Sequence, residues 1–107
     1  MPQPDSIQRR YHPSFTDQEG IRYEGEVDNQ GRRDGRGIAL YLDETLYEGY
    51  FVEGKRQGRG RSIKVDQEVY TGEFFNDCYH GFGFNEFSPD HEHGPGWTLE
   101  GYFFQNF

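Results

Sequence analysis

A chain of 107 residues suits one domain and leaves little interior for a large enclosed active site. Its formal net charge of -8 disfavours nonspecific nucleic-acid binding, which rests on Lys and Arg against phosphates, and its single cysteine, Cys78, excludes an internal disulfide and a four-cysteine zinc site. Only 32% of residues are hydrophobic and mean hydropathy is -1.06, yet 18% are aromatic, so the apolar material is mostly rings. Such low hydrophobicity with that charge would fit a disordered chain, but here the rings recur at fixed spacing. No apolar run approaches the roughly 20 residues that cross a bilayer. The start, Met1-Pro2-Gln3-Pro4-Asp5, lacks the charged and apolar regions of a secretory signal, so an intracellular, cytoplasmic protein is expected.

Residues 1–20 carry prolines, Arg9-Arg10-Tyr11-His12-Pro13 and Phe15 without periodicity. They read as an N-terminal tail, poorly ordered alone, whose rings can pack over the first hairpin or become ordered on a partner. From residue 21 the chain repeats itself. Tyr23-Glu24-Gly25-Glu26-Val27 returns as Tyr47-Glu48-Gly49-Tyr50-Phe51, as Tyr70-Thr71-Gly72-Glu73-Phe74 and as Leu99-Glu100-Gly101-Tyr102-Phe103. A second signature comes after each of the first three copies: Gly35-Arg36-Gly37, Gly58-Arg59-Gly60 and Gly81-Phe82-Gly83, stepping by 23 residues from 35 to 58 and from 58 to 81. One extra residue between Val27 and Gly35 reads as a turn insertion, and the longer interval before Leu99 reads as a loop enlarged around 90–96.

Each Tyr-x-Gly strand is expected to join its Gly-x-Gly strand through a glycine-containing turn, making a β-hairpin, with Asp43-Glu44, Asp66-Gln67 and Pro89-Asp90 turning the chain into the next. Alternation puts Tyr47, Gly49 and Phe51 on one face and Glu48 and Tyr50 on the other. The glycine gap makes sense if a ring from an adjacent strand lies across it, which would also explain why 15 glycines are tolerated. Hairpins stacked in this way form a quasi-one-dimensional ribbon.

These residues resemble the MORN-repeat family, whose unit begins Tyr-x-Gly with a following aromatic, passes through a Gly-Lys turn and closes on Gly-x-Gly; Gly54-Lys55-Arg56-Gln57-Gly58-Arg59-Gly60 matches the middle stretch best. Gly31-Arg32 and Asp77-Cys78 stand in place of Gly-Lys in the first and third repeats, and Leu99 replaces the fourth tyrosine. The resemblance implies an all-β fold of consecutive hairpins in one elongated, twisted antiparallel sheet with a concave groove, spanning 21–107. Repeats start near 23, 47 and 70, with a partial one at 99. It also implies a non-catalytic scaffold or adaptor recruited to a larger assembly, commonly of cilia, axonemes or the cytoskeleton, with membrane tethering as the alternative.

The regular positions Tyr23, Gly25, Gly35, Gly37, Tyr47, Gly49, Phe51, Gly58, Gly60, Tyr70, Gly72, Phe74, Gly81, Gly83, Gly101 and Phe103 are expected to build the sheet. Recognition is expected where repeats differ: at Tyr41, Tyr50, Phe84, Tyr102, Phe104 and Phe107, which would meet a partner helix or strand on the aromatic face or along the C-terminal edge. Arg32, Arg33, Arg36, Lys55, Arg56 and Arg59 fall near the turns within repeats and would form a basic edge able to meet anionic lipid, opposite acidic turns between repeats. Asp90, His91, Glu92 and His93, with His80, have no metal-specific spacing. Cys78 beside Asp77 reads as an ordinary turn cysteine. No phosphate loop or nucleophile elbow is present, and no cofactor, small-molecule substrate or nucleic acid is expected as a ligand.

Overall fold

The computed structural model describes residues 8–86 and the backbone of 98–106. Eight strands, β1 (Arg10–Thr16), β2 (Arg22–Val27), β3 (Arg33–Leu40), β4 (Leu46–Val52), β5 (Lys55–Ile63), β6 (Val69–Phe75), β7 (Cys78–Glu86) and β8 (Thr98–Asn106), form one antiparallel sheet in sequence order. The repeat therefore reads as expected: β2–β3, β4–β5 and β6–β7 are the three hairpins, and β8 is the first strand of a fourth. The molecule is elongated, with principal extents of 54 × 27 × 17 Å.

The register explains the glycines. Gly25, Gly37, Gly49, Gly60, Gly72, Gly83 and Gly101 pair successively across neighbouring strands, drawing one glycine row through the sheet from β2 to β8. Over each hairpin's glycine pair lies that hairpin's own tyrosine. A Cβ at Gly37, Gly60 or Gly83 would come within 2.1, 2.3 and 2.2 Å of Tyr23, Tyr47 and Tyr70 respectively, so only hydrogen fits there. The covering ring thus comes from within the hairpin, from the same strand as one glycine and the paired strand of the other.

What holds the ring there is a β-bulge. Registers slip between Gly25 and Val27, between Gly49 and Phe51 and between Gly72 and Phe74. The slip leaves β3, β5 and β7 with more residues than the strands they face, and opposite that bulge the tyrosine hydroxyl supplies a hydrogen bond. Tyr23 donates to the Glu26 carbonyl at 2.6 Å, Tyr47 to Tyr50 at 2.8 Å and Tyr70 to Glu73 at 2.9 Å. Unbroken alternation along β4 and β6 puts Phe51 and Phe74 on the same face as Tyr47 and Tyr70.

Repeats are joined through these rings. Phe51 meets Tyr23 of the preceding repeat and Tyr47 of its own edge-on, with centroids 5.3 and 5.0 Å apart; Phe74 does the same to Tyr47 and Tyr70 at 4.9 and 5.2 Å. Edge-to-face pairs of this kind each contribute about 0.5–1.5 kcal/mol beyond area burial. Turns are joined as well: the Gly54 amide donates to the Arg33 carbonyl and the Asp77 amide to that of Arg56, one step of 23 residues later. In the second and third turns within repeats, Glu53 and Gly54, then Asn76 and Asp77, all have positive φ, the conformation that two-residue hairpin turns require. In the first turn an extra residue is accommodated with Gly31 at φ 80.

Residues 1–20 differ from the expected tail over part of their length. Arg10–Thr16 form β1, paired with β2 along Arg10 to Val27 and Thr16 to Arg22. The turn after it repeats the hydrogen bonds of the later ones: Asp17 N–H to Ile21 and Gly20 N–H to Asp17, matching Tyr41 to Thr45 and Glu44 to Tyr41, then Lys64 to Glu68 and Gln67 to Lys64. β1 is thus the second strand of a degenerate half-repeat. Phe15 lies edge-on to Tyr23 at 6.0 Å, and Arg9 ties the strand's start to buried Asp34 at 2.6 Å.

Candidate functional site

Because side chains alternate across the sheet, the molecule has two faces of different character. On the ring face Tyr23, Tyr47, Phe51, Tyr70 and Phe74 are between 0% and 3% exposed. A single sheet can bury them because long side chains of the same chain lie over them. Arg33 sits 5.8 Å above the Phe51 ring, and Arg56 lies 5.0, 5.9 and 5.6 Å from Tyr41, Tyr47 and Phe74.

The covering groups are fastened across the sheet by contacts that change chemistry from repeat to repeat. The first turn position, occupied by Asp17, Tyr41 and Lys64, reaches the residue of the next hairpin that pairs with Val27, Phe51 or Phe74, occupied by Arg33, Arg56 and Tyr79. Asp17 and Arg33 form an ion pair at 2.7 Å, Tyr41 and Arg56 a cation–π contact, and Lys64 and Tyr79 the same contact with ring and cation exchanged, at 5.6 Å. Tyr79 also stacks flat on Tyr70 at 3.8 Å, filling the place that a guanidinium takes one repeat earlier.

Burial raises the phenol pKa of Tyr23, Tyr47, Tyr70 and Tyr79, and it pushes Tyr41 up to about 12 against the lowering field of Arg56. The hydroxyl of Tyr41 is buried and has no hydrogen-bond partner among the described residues. Where the ring face opens, between the 17–20 turn and the turns at 30–33 and 53–55, it forms a cleft of about 920 Å³ lined by Phe15, Asp17, Arg32, Arg33, Glu53, Lys55 and Asp77 among others.

The opposite face is open. Tyr11, Ile38, Leu40, Tyr50, Val52, Phe75 and Phe82 are each at least 37% exposed, and Leu42 and Val65 project from successive turns between repeats. In register order, Leu40, Leu46, Ile63 and Val69 make an unbroken aliphatic row across β3, β4, β5 and β6, ended by Arg22 and Glu86. The next row on this face reads Glu24, Ile38, Glu48, Arg61, Thr71 and Phe84. Glu24 accepts from the Tyr11 hydroxyl, which raises that phenol's pKa, and Glu48 faces Arg61 at 3.6 Å. A hydrophobic surface this continuous on one face marks a contact site more often than chance exposure does.

The candidate recognition rings divide between these surfaces. Tyr41 packs, half-buried, on the ring face; Tyr50, with Arg36 5.4 Å from its ring, is exposed on the open face, and Phe84 lies half-buried on the open face. In β8, Tyr102 pairs with Phe82 and Phe104 with His80, while Phe107 lies outside the described residues.

The expected basic edge differs in the same way. Arg33 and Arg56 turn inward over the rings, with side chains 12% and 19% exposed, because each stands opposite a buried ring-face residue, Val27 and Phe51 respectively. Arg32 is paired with buried Asp28 at 2.9 Å and with Glu53 at 3.8 Å, and Arg56 with Asp77 at 3.2 Å. Burial works to raise the Asp28 pKa, but the Arg32 and Gln30 amides and the Arg32 guanidinium together bring it below the ordinary value. Only Lys55, Arg36 and Arg59 remain exposed without a carboxylate partner among the described residues. The edge is mixed in sign, since acids there fix the turns.

Cys78 is the first residue of β7 and is buried at 7% exposure, with its thiol 3.5 Å from the Asn76 carbonyl. His80 lies beside Phe75; His91 and His93 fall outside the described residues, among which no group of His, Cys, Asp and Glu is arranged to hold a metal ion. The aliphatic row and Asp34 escaped the sequence reading. The row becomes visible only after the register is known, although the positions 40, 46, 63 and 69 were all aliphatic in plain view.

An open, single-layer ladder of hairpins with a filled ring face and a free apolar face defines a repeat protein of the interaction-module type. The family model for the MORN repeat matches residues 23–43, 47–68 and 70–84, more than half of the chain, and the protein belongs to this family, whose repeats serve as protein- or lipid-interaction modules. A comparison with curated proteins gives no match.

Proposed function

We propose that this protein is a non-catalytic adaptor that captures a protein partner on its open face. The observation that carries the reading is the contrast between faces: the regularly spaced rings of one face are covered by the chain's own arginines, whereas Ile38, Leu40, Tyr50, Val52 and Phe82 stand exposed on the other side. Apolar anchors ringed by charge, here Glu24, Glu48, Arg36 and Arg61, are the composition of a protein contact. Lipid tethering takes second place because the turn edge that would meet a membrane carries Asp28, Glu53 and Asp77 paired with its own arginines. A place in a ciliary or cytoskeletal assembly belongs to the proposal on the strength of the family resemblance alone.

The test is capture from cell extract by the tagged full chain, with bound proteins named by cross-linking mass spectrometry. Ile38→Ser with Tyr50→Ser should abolish capture of the cross-linked partner and leave the circular-dichroism melt in place. Undiminished capture by this variant, or cross-links confined to the ring face, would overturn the reading.

A further inference from the structure

We infer that the open face takes a basic amphipathic helix laid across the strands; this rests on the adaptor reading above and specifies the partner's shape and charge. The aliphatic row of Leu40, Leu46, Ile63 and Val69 is one residue wide and four strands long, bordered on its inner side by Ile38, Glu48, Arg61 and Thr71, with Glu24 beyond Ile38 on β2. A second sheet packing face to face needs apolar side chains over several adjacent rows. A single row with charged neighbours matches instead the narrow apolar stripe of a helix.

The spacings agree. Strands lie about 4.8 Å apart, so four strands place the row's ends roughly 14 Å apart. A helix rises about 1.5 Å per residue, and apolar side chains at i, i+3 or i+4 and i+7 recur roughly every 5–6 Å along it, close to the strand spacing.

Charge selects the sign. Glu24 and Glu48 stand on either side of Ile38, two strands and therefore about 9.6 Å apart, near the roughly 10.5 Å that separates helix positions i and i+7. Lysines or arginines seven residues apart on the helix flank would reach both carboxylates while an apolar residue between them covers Ile38. Glu24 accepts from the exposed Tyr11 hydroxyl and Glu48 pairs with an exposed Arg61 at 3.6 Å, a weak solvent-exposed contact with which an incoming cation competes. The chain's net charge of -8 adds attraction at longer range.

The probe is a synthetic capped helix of leucine and lysine with leucines at helical spacing, titrated into the full chain by fluorescence anisotropy and mapped by amide chemical shifts. Binding should fall about tenfold or more when glutamate replaces every lysine in the peptide, and again for Leu46→Ser with Ile63→Ser in the protein. Glu24→Gln with Glu48→Gln should weaken it roughly two- to tenfold and flatten its salt dependence. Equal binding of the lysine and glutamate peptides, shifts centred on Arg33 and Tyr41, or preference for phosphatidylserine vesicles over the peptide would each overturn the helix assignment. Concentration-dependent dimerisation blocked by Leu46→Ser with Ile63→Ser would overturn it in favour of a second copy. If the peptide fails while partner capture still depends on Ile38 and Tyr50, the helix inference falls and the adaptor reading stands.

Discussion

Replacing Gly60 by alanine should destabilise the protein severely, although the same change in an ordinary strand removes a flexible residue and gains about 0.5–1 kcal/mol. The new Cβ would stand 2.3 Å from the Tyr47 hydroxyl, 2.4 Å from Cε1 and 2.5 Å from Cζ, and the ring must leave. Its departure breaks the 2.8 Å hydrogen bond to the Tyr50 carbonyl opposite the bulge, a loss of about 1 kcal/mol. It also disturbs the edge-on contacts with Phe51 and Phe74 at 5.0 and 4.9 Å, and forced repacking of this kind costs about 1–3 kcal/mol. A total near 3 kcal/mol is a large part of the ~5–15 kcal/mol that stabilises a domain. At about 4–8 °C per kcal/mol for a chain of this size it should lower Tm by roughly 12–24 °C. Urea denaturation followed by circular dichroism measures it directly. In a double-mutant cycle with Tyr47→Leu, which removes the clashing atoms, the two changes should cost much less together than separately. Full additivity, or a Gly60→Ala protein within about 0.5 kcal/mol of the parent, would refute the ring-over-glycine account.

The same geometry gives three further outcomes. Asp34, 1% exposed, accepts from Arg9 at 2.6 Å and from the Glu53 amide at 3.0 Å, so Asp34→Ala should cost about 2–4 kcal/mol in urea melts, whereas a neutral effect would mean that β1 and the second hairpin turn are held otherwise. Tyr41 with Arg56 and Lys64 with Tyr79 should each show a coupling of about 0.5–2 kcal/mol in double-mutant cycles, and zero coupling in both would remove the fastening across the ring face. The buried phenols have pKa values raised above the reference of 10.0, so folding is favoured by their neutral form; that stability is intact below pH 10.0 and is lost as pH climbs toward their folded values. The share of tyrosinate absorbance that belongs to Tyr23, Tyr47, Tyr70 and Tyr79 should therefore appear in one cooperative step with unfolding above that pH, and full ionisation of all tyrosines without loss of structure would contradict the burial.

Much of the fold was legible because the repeat forces it. Tyr-x-Gly and Gly-x-Gly held in phase gave the hairpins, the sheet order and the building role of Tyr23, Tyr47 and Tyr70. Other features depend on side-chain contacts that a strand pattern leaves undetermined. Arg33 and Arg56 stand in the sequence like rim cations, and only their pairing with the ring-face residues Val27 and Phe51 turns them inward. β1 was hidden because its half-repeat lacks the glycine pair: His12 stands opposite Gly25, and a bulge between His12 and Phe15 breaks the alternation by which strands are recognised. The aliphatic row joins residues from four strands, so no local window contains it.

The division of labour between the two faces is tested most directly by hydroxyl-radical footprinting of the full chain, free and bound to its cross-linked partner. Tyr11, Tyr50 and Phe82, between 44% and 61% exposed, should be oxidised in the free protein and protected in the complex, with Tyr47 and Tyr70 at 0% exposure unreactive in both. Protection confined to Tyr41 and the residues around Arg33, with Tyr50 and Phe82 oxidised as before, would contradict the account.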